Sequence, residues 1–376
     1  MKKLLKFGAV LLTVSALVAC GQASKKDAKG NEVASANGVE VKIKSGTYVV
    51  PQDESADNKY LALKVEVKNT SDKKLNISES DFTLYNSDDE KLEPKHVYDS
   101  NDKFQTFGYE GIAKGKSASA YVVYEVNPKE KYELHYSPLE FDAKKKDKDI
   151  ELKVDASKFE DNTEKITDLA KSYVDQVFLN GENSGGATNV STDGKSGQVT
   201  FLDNKSSKKG SFVLANDIEK ERNNFIQNFI KSFGNSFTYY KPSDAEYRTF
   251  VEAYIKANAK RAKITYTIKS YLPDSAEVYV RPEVIDLDNL NVSDLTSQFV
   301  QENSGKYSSY SEAVKAAEKY VLEQAPSKFE STPLDTPKYM DKNGYLIKMT
   351  RKNDKWTIDT SDYTYTSLEE AFMGGN

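Results

Sequence analysis

Two domains of different class are predicted: an antiparallel β-sandwich over residues 38–155, then an α+β domain over residues 163–376. Three observations predict them. Apolar and polar residues alternate with a period of two from Val39 to about Asp155. From Thr163 the period lengthens to that of amphipathic helices interrupted by hairpins. Short clusters of Gly, Asn, Asp, Ser and Pro separate the segments throughout. Helices set against antiparallel strands make the second domain α+β.

The chain opens with neither. "MKKLLK" carries three positive charges, and Phe7 to Val18 is free of charge. A basic region followed by an apolar run of this length reads as a secretory signal over residues 1–19. The run is shorter than the roughly 20 apolar residues that span a bilayer. It ends in Leu17-Val18-Ala19-Cys20-Gly21, and Cys20 is the one cysteine of 376 residues. This pattern resembles the lipobox of bacterial lipoproteins. The resemblance implies that a signal peptidase recognises Leu17, Val18 and Ala19 and cuts before Cys20, whose sulfur carries a diacylglyceryl group. Two acyl chains, of palmitate type, hold a protein stably at a membrane where one does not. Loss of three lysines and no acid takes the net charge from −5 to −8, so anionic lipid repels the body of the protein and the lipid anchor must hold it. With Cys20 consumed no disulfide remains, and stability has to come from the core. A cysteine-poor exterior of this kind resembles surface lipoproteins of Gram-positive bacteria. It implies a location on the extracytoplasmic face of the cell membrane. The excised tail "LLTVSALVA" could also be released as a signalling peptide.

Residues 20–37 are small, polar and lysine-containing, which reads as a flexible tether. Strands are then expected at "VEVKIKSGTYVV", "YLALKVEVKN", "DFTLY", "SAYVVYEV", "YELHY" and "DIELKV", separated by "NTSDKK", "NSDDEK", "AKGKS" and "NPKE". The stretches "NKYLALKVEVKNTSDKKLNIS", "FTLYNSDDEKLEP" and "GKSASAYVVYEVNPKEKYELHYSP" resemble the immunoglobulin-like extracytoplasmic domain of Gram-positive lipoproteins. The resemblance implies an immunoglobulin-like antiparallel β-sandwich and carries no catalytic residue. The polar connection "ASKFEDNTEK" implies that the two domains fold separately.

In the second domain, "EKITDLAKSYVDQVFL" is amphipathic and Gly181 is its expected stop. "GENSGGATNVSTDGKSGQ" reads as a loop, with short strands at "VTFL" and "SFVL". "NDIEKERNNFIQNFIKSFG" places Ile218, Phe225, Phe229 and Phe233 near one face. Ser243 and Glu246 stand at capping-box spacing ahead of the next helix, and a hairpin follows in "KITYTIKSYLPDSAEVYVRPEVIDL". Two helices, "SDLTSQFVQE" and "SYSEAVKAAEKYVLEQA", then a hairpin, "GYLIKMTRKNDKWTID", repeat the order. This points to a pseudo-duplication, closed by the terminal helix "SLEEAFMG". The last strands resemble those of nuclear-transport-factor-two-like and cystatin-like domains. They also resemble the C-terminal lipoprotein domain of unknown function that follows such sandwiches.

Little in the chain carries chemistry. His96 and His135 are the two histidines, both in the sandwich, so Cys/His zinc sites are excluded by count. The acidic runs Asp88-Asp89-Glu90 and Asp286, Asp288, Asp294 lack the glycine and glutamate of a calcium loop and read as solvated turns. Gly194-Lys195-Ser196 has Asn189 where a phosphate-binding loop needs glycine. The run Asp193-Gly194-Lys195-Ser196-Gly197 resembles a flavin-attachment motif but lacks its acceptor threonine, since Gln198 and Val199 follow. No metal or cofactor is expected, and the negative charge disfavours nucleic acid. Twenty-four tyrosines and 17 phenylalanines supply binding surface instead. The candidate pocket is lined by Phe225, Phe229, Phe233, Tyr254, Tyr266 and Tyr279. The reading is a lipid-anchored surface protein with a non-catalytic binding or scaffold role, its partner an extracellular ligand or protein. The rival is an enzyme or cofactor carrier using the same cavity.

Overall fold

Alternation builds most of the N-terminal half, broken where β4 and β9 are buried on both faces. The computed structural model describes residues 23–26, 32–52, 54–99, 102–138, 149–179, 190–192, 199–201 and 212–374. Its first eleven strands are β1 (Ala23–Lys26), β2 (Glu32–Ala36), β3 (Val39–Val49), β4 (Tyr60–Asn69), β5 (Leu75–Ile77), β6 (Phe82–Tyr85), β7 (Lys91–Leu92), β8 (Glu110–Ile112), β9 (Ser117–Glu125), β10 (Lys131–Tyr136) and β11 (Ile150–Asp155). One sheet runs β1-β2-β3-β4-β9, a second runs β11-β10-β6-β7, and β5 pairs with β8. Their strand pairs are all antiparallel. Val41, Val65, Val67 and Val122 from the first sheet meet Leu84, Leu134 and Leu152 from the second in one core. Each lies on the inward face that a period of two assigns to it.

The tether expected over residues 20–37 needs correcting. β2 lies inside it and pairs with β3 from Ala36↔Val39 to Val33↔Lys42. The two-residue turn between them is Asn37-Gly38, with φ of +52° and +80°, the paired positive φ that a tight hairpin turn of this length requires. Asn69, fully buried at the end of β4, donates to the carbonyls of Lys73 (2.7 Å) and Ile112 (2.9 Å) and accepts from the backbone and hydroxyl of Ser71. It fastens the turn after β4 to β8.

The joint to the second domain is buried, so the stretch from Ala156 to Lys165 is no free linker. Val50 and Tyr271 exchange two backbone hydrogen bonds of 2.8 Å each. Leu272, from the second domain, packs with Val49, Tyr60, Val97, Phe104 and Val123 of the sandwich. The Phe159 ring lies where a Cβ on Gly46 would fall, 2.5 Å from its Cε1. Only glycine lets the ring approach β3 that closely.

The second domain comprises α1 (Thr163–Phe178), β12 (Val190–Thr192), β13 (Val199–Phe201), α2 (Ile218–Gly234), α3 (Asp244–Arg261), β14 (Lys263–Leu272), β15 (Ser275–Ile285), α4 (Val292–Asn303), α5 (Tyr310–Gln324), β16 (Leu334–Asp335), β17 (Tyr345–Lys352), β18 (Lys355–Ile358) and α6 (Tyr363–Phe372). Gly181 and the run Asp193–Gly197 lie outside the described residues. The order helix-helix-hairpin occurs twice, and β15 pairing with β17 joins the two hairpins into one sheet, β14-β15-β17-β18. Inward residues of that sheet, among them Val278, Val280, Ile347 and Met349, share a core with Leu169 of α1, Tyr254 of α3 and Leu368 of α6. A polar network crosses this core. The Tyr173 hydroxyl bonds Glu221 and lies 2.6 Å from that of Tyr365, while Asn216 reaches Glu221 and both backbone groups of Ile358. Tyr173 thereby joins α1 to α2 and α6, and Asn216 ties the start of α2 to β18, so the network fixes their relative placement.

Helix α6 shows how a single side chain closes an element. Asp362 accepts the Thr364 backbone N–H (2.9 Å) as an N-cap and pairs with Lys348 of β17 at 2.8 Å. The Lys348 hydrogen bond first, then Thr364, pull its carboxyl from 3.8 down to about 2. A depressed acid contributes stability above its ordinary value, and that stability is lost as pH falls through the folded value. Asp362→Ala should therefore cost about 0.5–2 kcal/mol near neutral pH, the usual worth of an N-cap. The difference from the parent should vanish as pH falls from 3.8 to about 2. Urea melts at both ends of that window measure it, and an unchanged gap at the acid end would contradict the assignment.

Candidate functional site

The second helical pair does not lie on the sheet. Helix α5 crosses toward α3, while α4 packs mainly against α5. Between this pair, α2 and the turn after β15 lies a cavity of about 890 Å³. The capping chemistry explains why the pair stands there. Asp286 accepts the Asp288 N–H (2.8 Å) to form the turn Leu287–Leu290. Asn291, at φ +50°, then redirects the chain into α4. Gly305, at φ +77°, follows the end of α4, and Ser309 caps α5 by accepting the Glu312 N–H.

Three helical faces supply the walls. On α2 and the turn that follows it the cavity takes Phe229, Ser232, Phe233 and Ser236; on α4 it takes Val292, Thr296, Phe299, Val300 and Asn303. The spacing of three and four residues is one side of each helix. The α5 side includes Tyr310, Val314, Ala317 and Val321. Phe233 stacks on Phe250 at 4.0 Å, and Phe299 lies 5.9 Å from Tyr307 and 5.4 Å from Tyr320.

Two carboxylates border the cavity, Asp288 and Glu318. Asp288 pairs with Lys338 at 2.8 Å. Glu318 accepts the backbone N–H groups of Thr238, Tyr239 and Tyr240. Burial pushes the Glu318 carboxyl up, but the amides of Tyr240, Thr238 and Tyr239 outweigh it and hold the group below its ordinary range. It thereby clamps α5 to the connection between α2 and α3, and the Lys319 ammonium sits over the Tyr240 ring.

Of the six aromatics expected to line a pocket, the structure places Phe229 and Phe233 on the wall. Phe225 is fully buried, 5.0 Å from Phe178. Tyr254 is also fully buried and donates to the Ile285 carbonyl at 2.6 Å. Burial pushes its hydroxyl well above the ordinary tyrosine range. These two belong to the packed core rather than the lining. Tyr266 on β14 packs on that core with its hydroxyl shut away from solvent. Tyr279 on β15 sits opposite Thr267 and Leu346, between inward-facing Val278 and Val280. Neither reaches the cavity. The α4 and α5 faces went unread in the sequence, although Val292 and Val300 there are exposed apolar residues, 46% and 58% accessible. Those two, spaced with Phe299 on one face of α4, were the available signal.

The other candidate groups stay apart. His96 lies beside Glu79 (3.4 Å), whereas His135 lies between Glu133 and Asp149 and against the Tyr85 ring. Asn86 organises the Asp88-Asp89-Glu90 turn by accepting the N–H groups of Asp88 and Glu90. Among the described residues no three His, Cys, Asp or Glu side chains gather as a metal set, and no helix is long and apolar enough to cross a membrane.

Comparison with known proteins adds to this geometry. Residues 28–150 match the family described as Domain of unknown function (DUF4352), and residues 197–373 match Domain of unknown function (DUF5105). The chain is similar to the uncharacterized lipoprotein YcdA of Bacillus subtilis (strain 168). The two are 29% identical over 381 residues, covering 97% of this chain and 96% of the relative. The fold is similar to a crystal structure of the ycdA lipoprotein from Bacillus subtilis, with a TM-score of 0.63 at 23% identity, over 90% of this chain and 98% of that one.

Proposed function

We propose that this chain, whose two halves match the DUF4352 and DUF5105 families and which is similar to a Bacillus lipoprotein, is itself a lipoprotein anchored through Cys20 to the extracytoplasmic face of the cell membrane. There its C-terminal domain binds a ligand without transforming it. The cavity of about 890 Å³ carries this reading, since it falls in the range of sites that enclose small molecules. The carboxylates bordering it support binding over chemistry. Each already holds a structural partner, so neither is poised as an acid or base. The sandwich then acts as a spacer, fixed to the second domain by their buried joint.

A melting-temperature screen of the full chain tests the reading, using cell-wall fragments, peptides, sugars, flavins and lipids. A ligand at 100 times its Kd stabilises by about 2.7 kcal/mol. In a domain of this size that is a shift of roughly 5–10 °C. No shift from any class would leave a scaffold role, and turnover of a hit would favour an enzyme.

A further inference from the structure

We propose that the cavity beneath α4 and α5 receives the hydrocarbon chain of an amphiphile. The inference rests on the binding role above and names its ligand class.

Shape is the first argument. The lining runs the whole length of α4, from Val292 to Asn303. Eleven residue steps at about 1.5 Å make a channel of roughly 16 Å, a length that an extended hydrocarbon chain can follow.

Chemistry is the second. The charged groups of the lining are the two carboxylates, both already engaged. A charged or strongly polar ligand group in the channel would go without a counter-charge, at the cost of its hydration. A hydrocarbon chain asks for no partner and matches the Phe, Val, Leu and Ala side chains that make up most of the walls, among which Ser232, Ser236 and Thr296 are interspersed.

Direction is the third. The floor is closed by Phe229 and Phe250, each 1% accessible, while Val300 and Tyr310 at the rim are 58% and 78% accessible. Asn303 and Ser304 also line the cavity, at the α4 end of the same turn. An amphiphile would enter tail first and keep its head at this polar rim. Helix α4 forms one wall of the cavity. It packs mainly on α5, between Asn291 and Gly305, both of positive φ.

Photo-crosslinking tests the inference. The full chain is reconstituted in phosphatidylglycerol nanodiscs with one of three probes: hexadecanol bearing a diazirine near its tail end, phosphatidylglycerol with a diazirine in one acyl chain, or a phenyl diazirine without a chain. Labelled peptides are mapped by mass spectrometry. Labels from either alkyl probe on α2, α4 or α5 are the expected result, and which probe gives them tells free amphiphile from bilayer lipid. Ala317→Trp should fill the channel and cut that labelling by about tenfold. Val314→Phe replaces it if the tryptophan variant does not fold. Labelling by the phenyl probe alone overturns the hydrocarbon class and leaves a binding site standing. Absence of labels at the cavity from all three probes overturns both readings, and undiminished alkyl labelling in a folded, filled variant overturns the location.

Discussion

Cys20→Ser is expected to leave a chain that keeps its leader, incorporates no palmitate and carries no diacylglyceryl group. The effect should be all or none, because the serine oxygen does not replace the thiolate as the lipid acceptor in this pattern. Each buried methylene contributes about 0.8 kcal/mol, and a single acyl chain of myristoyl length binds bilayers with only about 10⁴ M⁻¹. Two chains on one sulfur therefore dominate any attraction between the protein body and lipid. Metabolic labelling with palmitate, together with the intact mass of the membrane-bound protein, checks it. A parent chain that incorporates no label, or a serine variant that still does, would refute Cys20 as the anchor.

Trp356→Ala is expected to cost about 3–5 kcal/mol, the range for deleting a large buried aromatic. Trp356 is completely buried in β18. Its ring stacks on Phe212 at 6.2 Å and lies 6.3 Å from Tyr271. Its backbone donates to Val213 and accepts from Ala215, both at 2.7 Å. Truncation would leave a cavity at a point where three segments meet, one of them the Tyr271 end of the joint to the sandwich. The indole N–H has no hydrogen-bond partner among the described residues. Trp356→Phe thus gives up no polar contact and should cost clearly less than alanine. Equilibrium urea unfolding of the full chain separates the two variants. Equal costs would mean that the ring's volume is not what stabilises this site.

Most elements were legible because their signals are local. β3, β4, β6, β9, β10 and β11 announce themselves by alternation, and the six helices by apolar residues three and four apart, with Ser243 and Glu246 marking the start of α3 as a complete capping box. β2 escaped notice because "EVASA" is short and weakly apolar. Its strand character comes from pairing with β3, a contact made possible by the Asn37-Gly38 turn. The buried joint escaped for a related reason. Val50, Leu272 and Phe159 look like ordinary apolar residues until the chain brings them together.

The candidate site divides in the same way. Periodicity placed Phe225, Phe229 and Phe233 near one face of α2, and that much is a property of the helix alone. Which of them meets another ring and which meets a void depends on what lies opposite. Phe225 faces Phe178 of α1, whereas Phe229 and Phe233 reach the space under α4 and α5. Backbone hydrogen bonding and side-chain spacing act over a few residues, so they write the elements and the lipid-attachment motif directly into the order of amino acids. A cavity is the gap left when elements far apart in sequence pack imperfectly, and only their arrangement in space determines it.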